Sequence, residues 1–248
     1  MTMTAAHMGY TFYCLCAIAL FATTVWILRN GRKVKVTESA MLLVILGGLI
    51  YDNFMLGVGS LIFQESQGLL IATIPRFAIH ALCTPLLIMH AALSCGRLNV
   101  PGYRSRTIIT WWGATTFLCI LLGLVREIDP VFQYSVEGGI AAFRPAGEGG
   151  PPLAEVTTVF SLIVMGIALT RFIRWPWMLT SATVILIFNI FFLENGAVTN
   201  LGEIILLSGS VATGAYAVSY AAKERELKKQ EALARRKPKD NEEELVTQ

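Results

Sequence analysis

The chain alternates long apolar runs with short polar interruptions, and the runs have the length of membrane spans. A spanning helix needs about 20 mostly apolar residues. Seven segments meet that need, at about 9–29, 39–63, 69–95, 107–126, 155–172, 177–194 and 201–222. The pattern predicts an all-α membrane protein: a seven-helix bundle over residues 1–222 and a charged tail over 223–248. The second and third runs are longer than a crossing requires, which predicts tilted or kinked helices. The fifth and sixth are short and meet in a tight basic turn, Arg171-Phe-Ile-Arg174-Trp-Pro-Trp177, where Pro176 suits the first turn of the next helix.

Two stretches fall outside the spans. The loop from Ile128 to Ala154 is rich in Gly and Pro, and Tyr134-Ser-Val and Ile140-Ala-Ala-Phe143 flank Glu137-Gly-Gly139 in the manner of a small hairpin. From Lys223 to Lys239 the charge alternates in sign, with Glu224 and Lys228 spaced to support a helical extension of the last span. The residues from Asp240 to Gln248 are expected to be disordered.

Composition agrees with the pattern. The chain is 54% hydrophobic and only 15% charged, whereas soluble domains carry about a quarter charged residues. The bilayer is therefore the expected partner and solvent, with a multi-pass integral location and no nucleic-acid contact. The basic residues then give a direction. With the N-terminus outside, the inner segments hold Arg29, Arg32, Lys33 and Lys35, then Arg97, Arg104 and Arg106, then Arg171 and Arg174, then the tail, which together make 17 of the 20 basic residues. Only Arg126 and Arg144 fall outside, while Glu65, Glu127, Asp129, Glu137, Glu148 and Glu155 are among the acids at the outer edge. Trp26, Trp111, Trp112, Trp175 and Trp177 all lie near the predicted inner interface, where amphipathic rings anchor. The basic excess of the tail predicts contact with anionic lipid.

Five cysteines, Cys14, Cys16, Cys83, Cys95 and Cys119, lie in or beside apolar runs and are read as packing residues, not a disulfide framework. Three histidines of unrelated spacing carry no metal-binding signature. No metal and no cofactor is expected.

Candidate chemistry rests on ionisable residues inside the spans, which cost about 2.5–3.5 kcal/mol each on insertion and usually face the bundle interior. The second span carries Tyr51-Asp52-Asn53; the third carries Pro75-Arg76, His80, Thr84-Pro85 and His90. The two spans make an antiparallel hairpin turning near Ser66, so residues whose numbers sum to about 132 lie level, which pairs Asp52 with His80. Arg76, His80 and Thr84 share one helical face. An acid, a guanidinium and an imidazole thus gather in the outer-to-middle membrane. Gly47, Gly48, Gly57 and Gly59 would let helices approach closely there, and Pro85 predicts a kink beside a cavity.

Asn189 and Glu194, Asn200 and Glu203, and Arg126 and Glu127 are further outer-half polar groups that could converge on the same space. His90, on another face and nearer the inside, is not expected there. The bland alternative is that Asp52 and Arg76 form a neutral clamp fixing helix register, with no substrate.

Seven helices in this length match the dimensions of microbial rhodopsins, but the retinal Schiff base needs a lysine in the last span. Leu201 to Ala222 contains none. The third span ends Ser94-Cys-Gly-Arg-Leu98 and the seventh ends Ala217-Val-Ser-Tyr220, without the signatures of common G-protein-coupled receptors. Size and topology also resemble the small fungal membrane terpene cyclases, a resemblance of architecture that the motifs here do not carry further.

The reading is a small integral-membrane enzyme using acid/base chemistry on an apolar, lipid-like or isoprenoid substrate. Asp52 and His80 would be the catalytic groups, and Arg76, Tyr51, Asn53, Asn189 and Glu203 would bind substrate. The same cluster would alternatively serve a sensor or a small-solute or proton carrier. A third reading is a membrane scaffold or assembly subunit.

Overall fold

The computed structural model describes residues 4–30, 37–63, 66–127, 132–137, 140–145, 153–192 and 195–246. Helix α1 is Ala5–Asn30. Helix α2, Thr37–Phe54, runs without a break into a π-helical stretch, Met55–Gly59, and a last turn, Ser60–Phe63. The long third run is two helices, α3 over Gln67–Cys83 and α4 over Leu86–Arg97. Then come α5 (Arg106–Glu127), strands β1 (Phe132–Glu137) and β2 (Ile140–Pro145), α6 (Leu153–Ile173), α7 (Trp177–Phe191) and α8 (Gly196–Val246).

Among the described residues six segments are long and apolar enough to cross a membrane: Ala5–Asn30, Ser39–Gly59, Gln67–Arg97, Arg106–Arg126, Leu153–Ile173 and Gly196–Ala234. Helix α7 is apolar but has 15 residues, about 22 Å at 1.5 Å per residue, against about 30 Å of hydrocarbon. It stops because Phe192 leaves the helical region, at φ −132° and ψ 29°, and the chain becomes helical again at Gly196. Multi-pass membrane insertion is also written on the outer surface. Val125 is 83% exposed, Phe191 72%, Ile71 68% and Trp111 67%, an apolar exterior that suits lipid and not water.

The helices close into a ring. Helix α1 packs on α2 and α8, α8 on α7, α7 on α6, α6 on α5, and α5 on α3 and α4. Helix α4 takes the interior, touching α2, α5, α6 and α8, and buries Ile88, Ala91 and Ala92 completely. Two glycines let α7 approach its neighbours closely. A Cβ at Gly166 of α6 would stand 2.7 Å from the Leu179 backbone nitrogen of α7, and one at Gly209 of α8 would overlap Ser181 Oγ.

At the kink expected from Pro85 the α-helix gives way to a turn at Thr84 and Pro85, between α3 and α4, within one span. Pro85 has no N–H to give to the Ala81 carbonyl, so the ladder loses a rung there. Pro75 removes a second rung within α3. Ser66 starts α3, its Oγ accepting from the Leu69 N–H at 3.4 Å.

The hairpin between α5 and α6 forms where the sequence places it, antiparallel with Tyr134 opposite Phe143. Two strands alone are marginal. Here Ile140 packs with Tyr10 and Leu56, and Ala141 with Met55 and Leu69, so the helices supply the missing core. Helix α8 continues to Val246, and the last two residues of the stretch expected to be disordered, 247 and 248, lie outside the described residues. Pairs such as Lys228 Nζ to Glu224 Oε1, at 2.8 Å, support its polar part.

Candidate functional site

The π-helical stretch begins three residues after Asp52. The two prolines of the third run stand on either side of Arg76 and His80. Both devices loosen regular helical bonding beside a cluster of charge, a setting in which π-helical turns recur at functional sites. Gly48 and Gly57 carry the close approaches. A Cβ on Gly48 would stand 2.5 Å from Ile79 of α3, and one on Gly57 2.9 Å from the Thr11 backbone of α1. Gly47 faces open space and Gly59 meets the side chain of Met55, so neither serves an interhelical approach.

Asp52 of α2 reaches across to α3, where Arg76 Nε donates to its Oδ1 at 2.7 Å. The pair is largely withdrawn from solvent, with side chains 22% and 13% exposed. Asp52 is therefore nearest Arg76, one helical turn short of the His80 given by counting from Ser66. His80 lies on the same face of α3, with Thr84 Oγ1 3.5 Å from its Nδ1.

These side chains line one cavity with about 80 Å³ open to the centres of water-sized spheres. A single water needs about 10–15 Å³ on that measure, so the space holds several waters or a compact polar head group. Asp52, Arg76 and His80 form one wall, Asn189 and Glu203 another, and Glu155 of α6 joins them. Ile45, Leu49, Leu87, Ile185 and Leu206 contribute apolar surface. Glu203 also interacts electrostatically with His80, Asp52, Arg76 and Glu155.

Two expected members of the site point elsewhere. The Tyr51 hydroxyl donates to the Ala72 carbonyl at 2.7 Å and packs toward the hairpin cluster of Met55, Leu69 and Ala141. Asn53 is fully buried; its Nδ2 donates to the Leu49 carbonyl and its Oδ1 accepts from Asn200 Nδ2 at 3.0 Å. The physical reason is helical geometry: neighbours of Asp52 are turned about 100° to either side of it. Neither residue lines the cavity. Asn200 likewise serves Asn53 and not the cavity.

Glu155 is the residue whose role the sequence did not disclose. It reads as an outer-edge acid, yet it lines the cavity while Arg126 Nη1 binds its Oε1 at 2.6 Å. Its Oε2 is buried and has no hydrogen-bond partner among the described residues. A basic residue ending one span and an acid opening the next was the available signal. Glu194 and the side chain of Glu127 lie outside the described residues.

His90 stays apart from the cavity, as expected. It is fully buried, with Nε2 3.2 Å from the Ser210 carbonyl. All five cysteines are free thiols. Among the described residues no group of three or more His, Cys, Asp or Glu could hold a metal ion.

Neither a protein-family model, nor a curated protein, nor a solved structure matches this chain.

Proposed function

We propose that the protein is a small integral-membrane enzyme that performs acid/base chemistry on an apolar, lipid-like substrate in the cavity between α2, α3, α6, α7 and α8. The observation that carries the proposal is that Asp52, Arg76, His80 and Glu203 line one cavity together with apolar side chains such as Ile45, Leu49 and Leu206. In a low-dielectric, water-poor setting such groups exchange protons and stabilise charge far more strongly than in water. Asp52, oriented by Arg76, is the base or acid; His80, one turn from Arg76, is its proton partner. Asn189 and Glu203, from the facing wall, orient the polar end of the substrate. Tyr51 and Asn53 support the site from outside the cavity.

The proposal includes a topology. Helix α7 with its flanking residues is the sixth of seven crossings, the N-terminus is outside, and the tail is cytoplasmic. The distribution of 17 of the 20 basic residues supports it. A short α7 is accommodated by local thinning of the bilayer.

One observation favours a second reading, a proton or small-solute carrier. Beyond the cavity the polar side chains Ser39, His90, Ser94, Ser210 and Thr213 are all buried, and the Ser39 and Ser94 hydroxyls have no hydrogen-bond partner among the described residues.

The two readings separate in one preparation. Purified protein in liposomes, supplied with an apolar membrane extract, converts at least one component. Asp52→Asn and His80→Ala remove that conversion by a hundredfold or more at unchanged membrane levels. Proton flux that depends on Asp52, with no conversion, makes the protein a carrier. Full conversion by Asp52→Asn removes Asp52 from the chemistry.

A further inference from the structure

The acids and bases around the cavity come in matched pairs. Arg76 answers Asp52 at 2.7 Å, and Arg126 answers Glu155 at 2.6 Å from just outside the lining. Glu203 and His80 are the remaining acid and base on the lining, and His80 is the charged group that acts on Glu203 most strongly. A carboxyl and an imidazole coupled in this way titrate as a pair. Near neutral pH they hold one proton between them, so their sum is zero whether they stand as an ion pair or as a neutral pair. Among the described residues, Asp52, Glu155 and Glu203 are thus balanced by Arg76, Arg126 and His80.

That balance restricts what can enter. A ligand with a net charge would leave water for a space in which no opposite charge is left to meet it, at a large cost. An uncharged head group breaks no pair. The polar lining also specifies its hydrogen bonding. Arg76 gives Nε to Asp52 and carries Nη1 and Nη2 donors besides. Ionised carboxylates only accept, and the amide of Asn189 does both. A hydroxyl, with one donor and two acceptor lone pairs, serves both kinds of partner, whereas a ketone oxygen only accepts. The open space of about 80 Å³ takes such a group, and Ile45, Leu49, Ile185 and Leu206 suit a hydrocarbon body.

We infer that the ligand of this cavity is an uncharged alcohol: a lipid-like body whose hydroxyl lies between Arg76 on one wall and Asn189 and Glu203 on the other. The inference rests on the cavity being a ligand site, as proposed above, and adds the charge and the hydrogen-bonding character of what enters it.

The test uses full-length protein in zwitterionic nanodiscs at neutral pH, titrated with decan-1-ol, decylammonium, decanoate and decan-2-one, with empty nanodiscs subtracted. Wild type binds decanol at least tenfold more tightly than either charged probe and more tightly than the ketone. Asp52→Asn leaves the Arg76 charge unmatched, since a guanidinium does not lose its proton, and raises decanoate affinity at least tenfold. Asp52→Asn/Arg76→Gln restores neutrality and rejects both charged probes again. A wild type that prefers decylammonium or decanoate overturns the uncharged ligand but leaves the ligand site standing. Equal binding of decanol and decan-2-one overturns the hydroxyl. Decanoate affinity unchanged in a folded Asp52→Asn protein overturns charge balance as the basis of selection. Saturable binding of none of the probes overturns the ligand-site reading itself.

Discussion

At Asp52 the sequence presents three polar side chains in succession, and a helix sends such neighbours to different faces. The structure distributes them accordingly: Asp52 to Arg76, Tyr51 to the Ala72 carbonyl, Asn53 to Asn200. The identity of the cluster was legible because ionisable side chains inside apolar runs are conspicuous. Its internal pairing was not, since counting back from Ser66 assumes regular helix and α2 becomes π-helical at Met55. The Asp52–Arg76 pair is intermediate between an exposed pair, worth about 0–1 kcal/mol, and a buried one, where removing one partner costs about 3–5 kcal/mol. Asp52→Asn and Arg76→Gln should each destabilise by about 2 kcal/mol in detergent unfolding, and the double variant by clearly less than the sum. Additive losses would mean that the two side chains do not depend on each other. The Asn53–Asn200 bond should behave similarly: either Asn→Leu change strands the other amide at about 1–3 kcal/mol, and the double change costs less than both.

Helix ends and interruptions were readable where a residue forces them and obscure where only packing does. Pro85 has no N–H, so a break in the third run follows from chemistry; the π-helical stretch at Met55–Gly59 has no comparable signature beyond two glycines. The same distinction applies to helix contacts. Gly166 looks like any other helical glycine, yet a Cβ there meets the α7 backbone at 2.7 Å. Gly166→Ala should therefore lower stability by about 1–3 kcal/mol through separating α6 from α7. Gly113 faces open space, and Gly113→Ala should be neutral or stabilise by up to about 1 kcal/mol through helix propensity. Matched thermal unfolding of the two variants checks the contrast; equal shifts would contradict the α6–α7 packing.

For the whole molecule, hydropathy discloses a multi-pass bundle because about 20 apolar residues in a row have few other uses. It does not settle α7, whose 15 residues fall short of a full crossing while the run predicted from sequence is longer. The number of crossings fixes which side each soluble part occupies. Seven crossings place the hairpin and the tail on opposite faces; six would place them together. A membrane-impermeant maleimide should label Ser135→Cys in intact cells and label Ala232→Cys only after permeabilisation. Labelling of both from the same side would remove α7 from the spans.

If the protein is the enzyme proposed, the cavity lined by Asp52, Arg76, His80 and Glu203 transforms an apolar molecule. The most direct measurement is untargeted lipid profiling of membranes from one host expressing, at matched levels, wild type or Asp52→Asn. Wild type should consume at least one apolar species and yield a matching product, both unchanged from the empty host in Asp52→Asn. Identical profiles for wild type, Asp52→Asn and the empty host would contradict it.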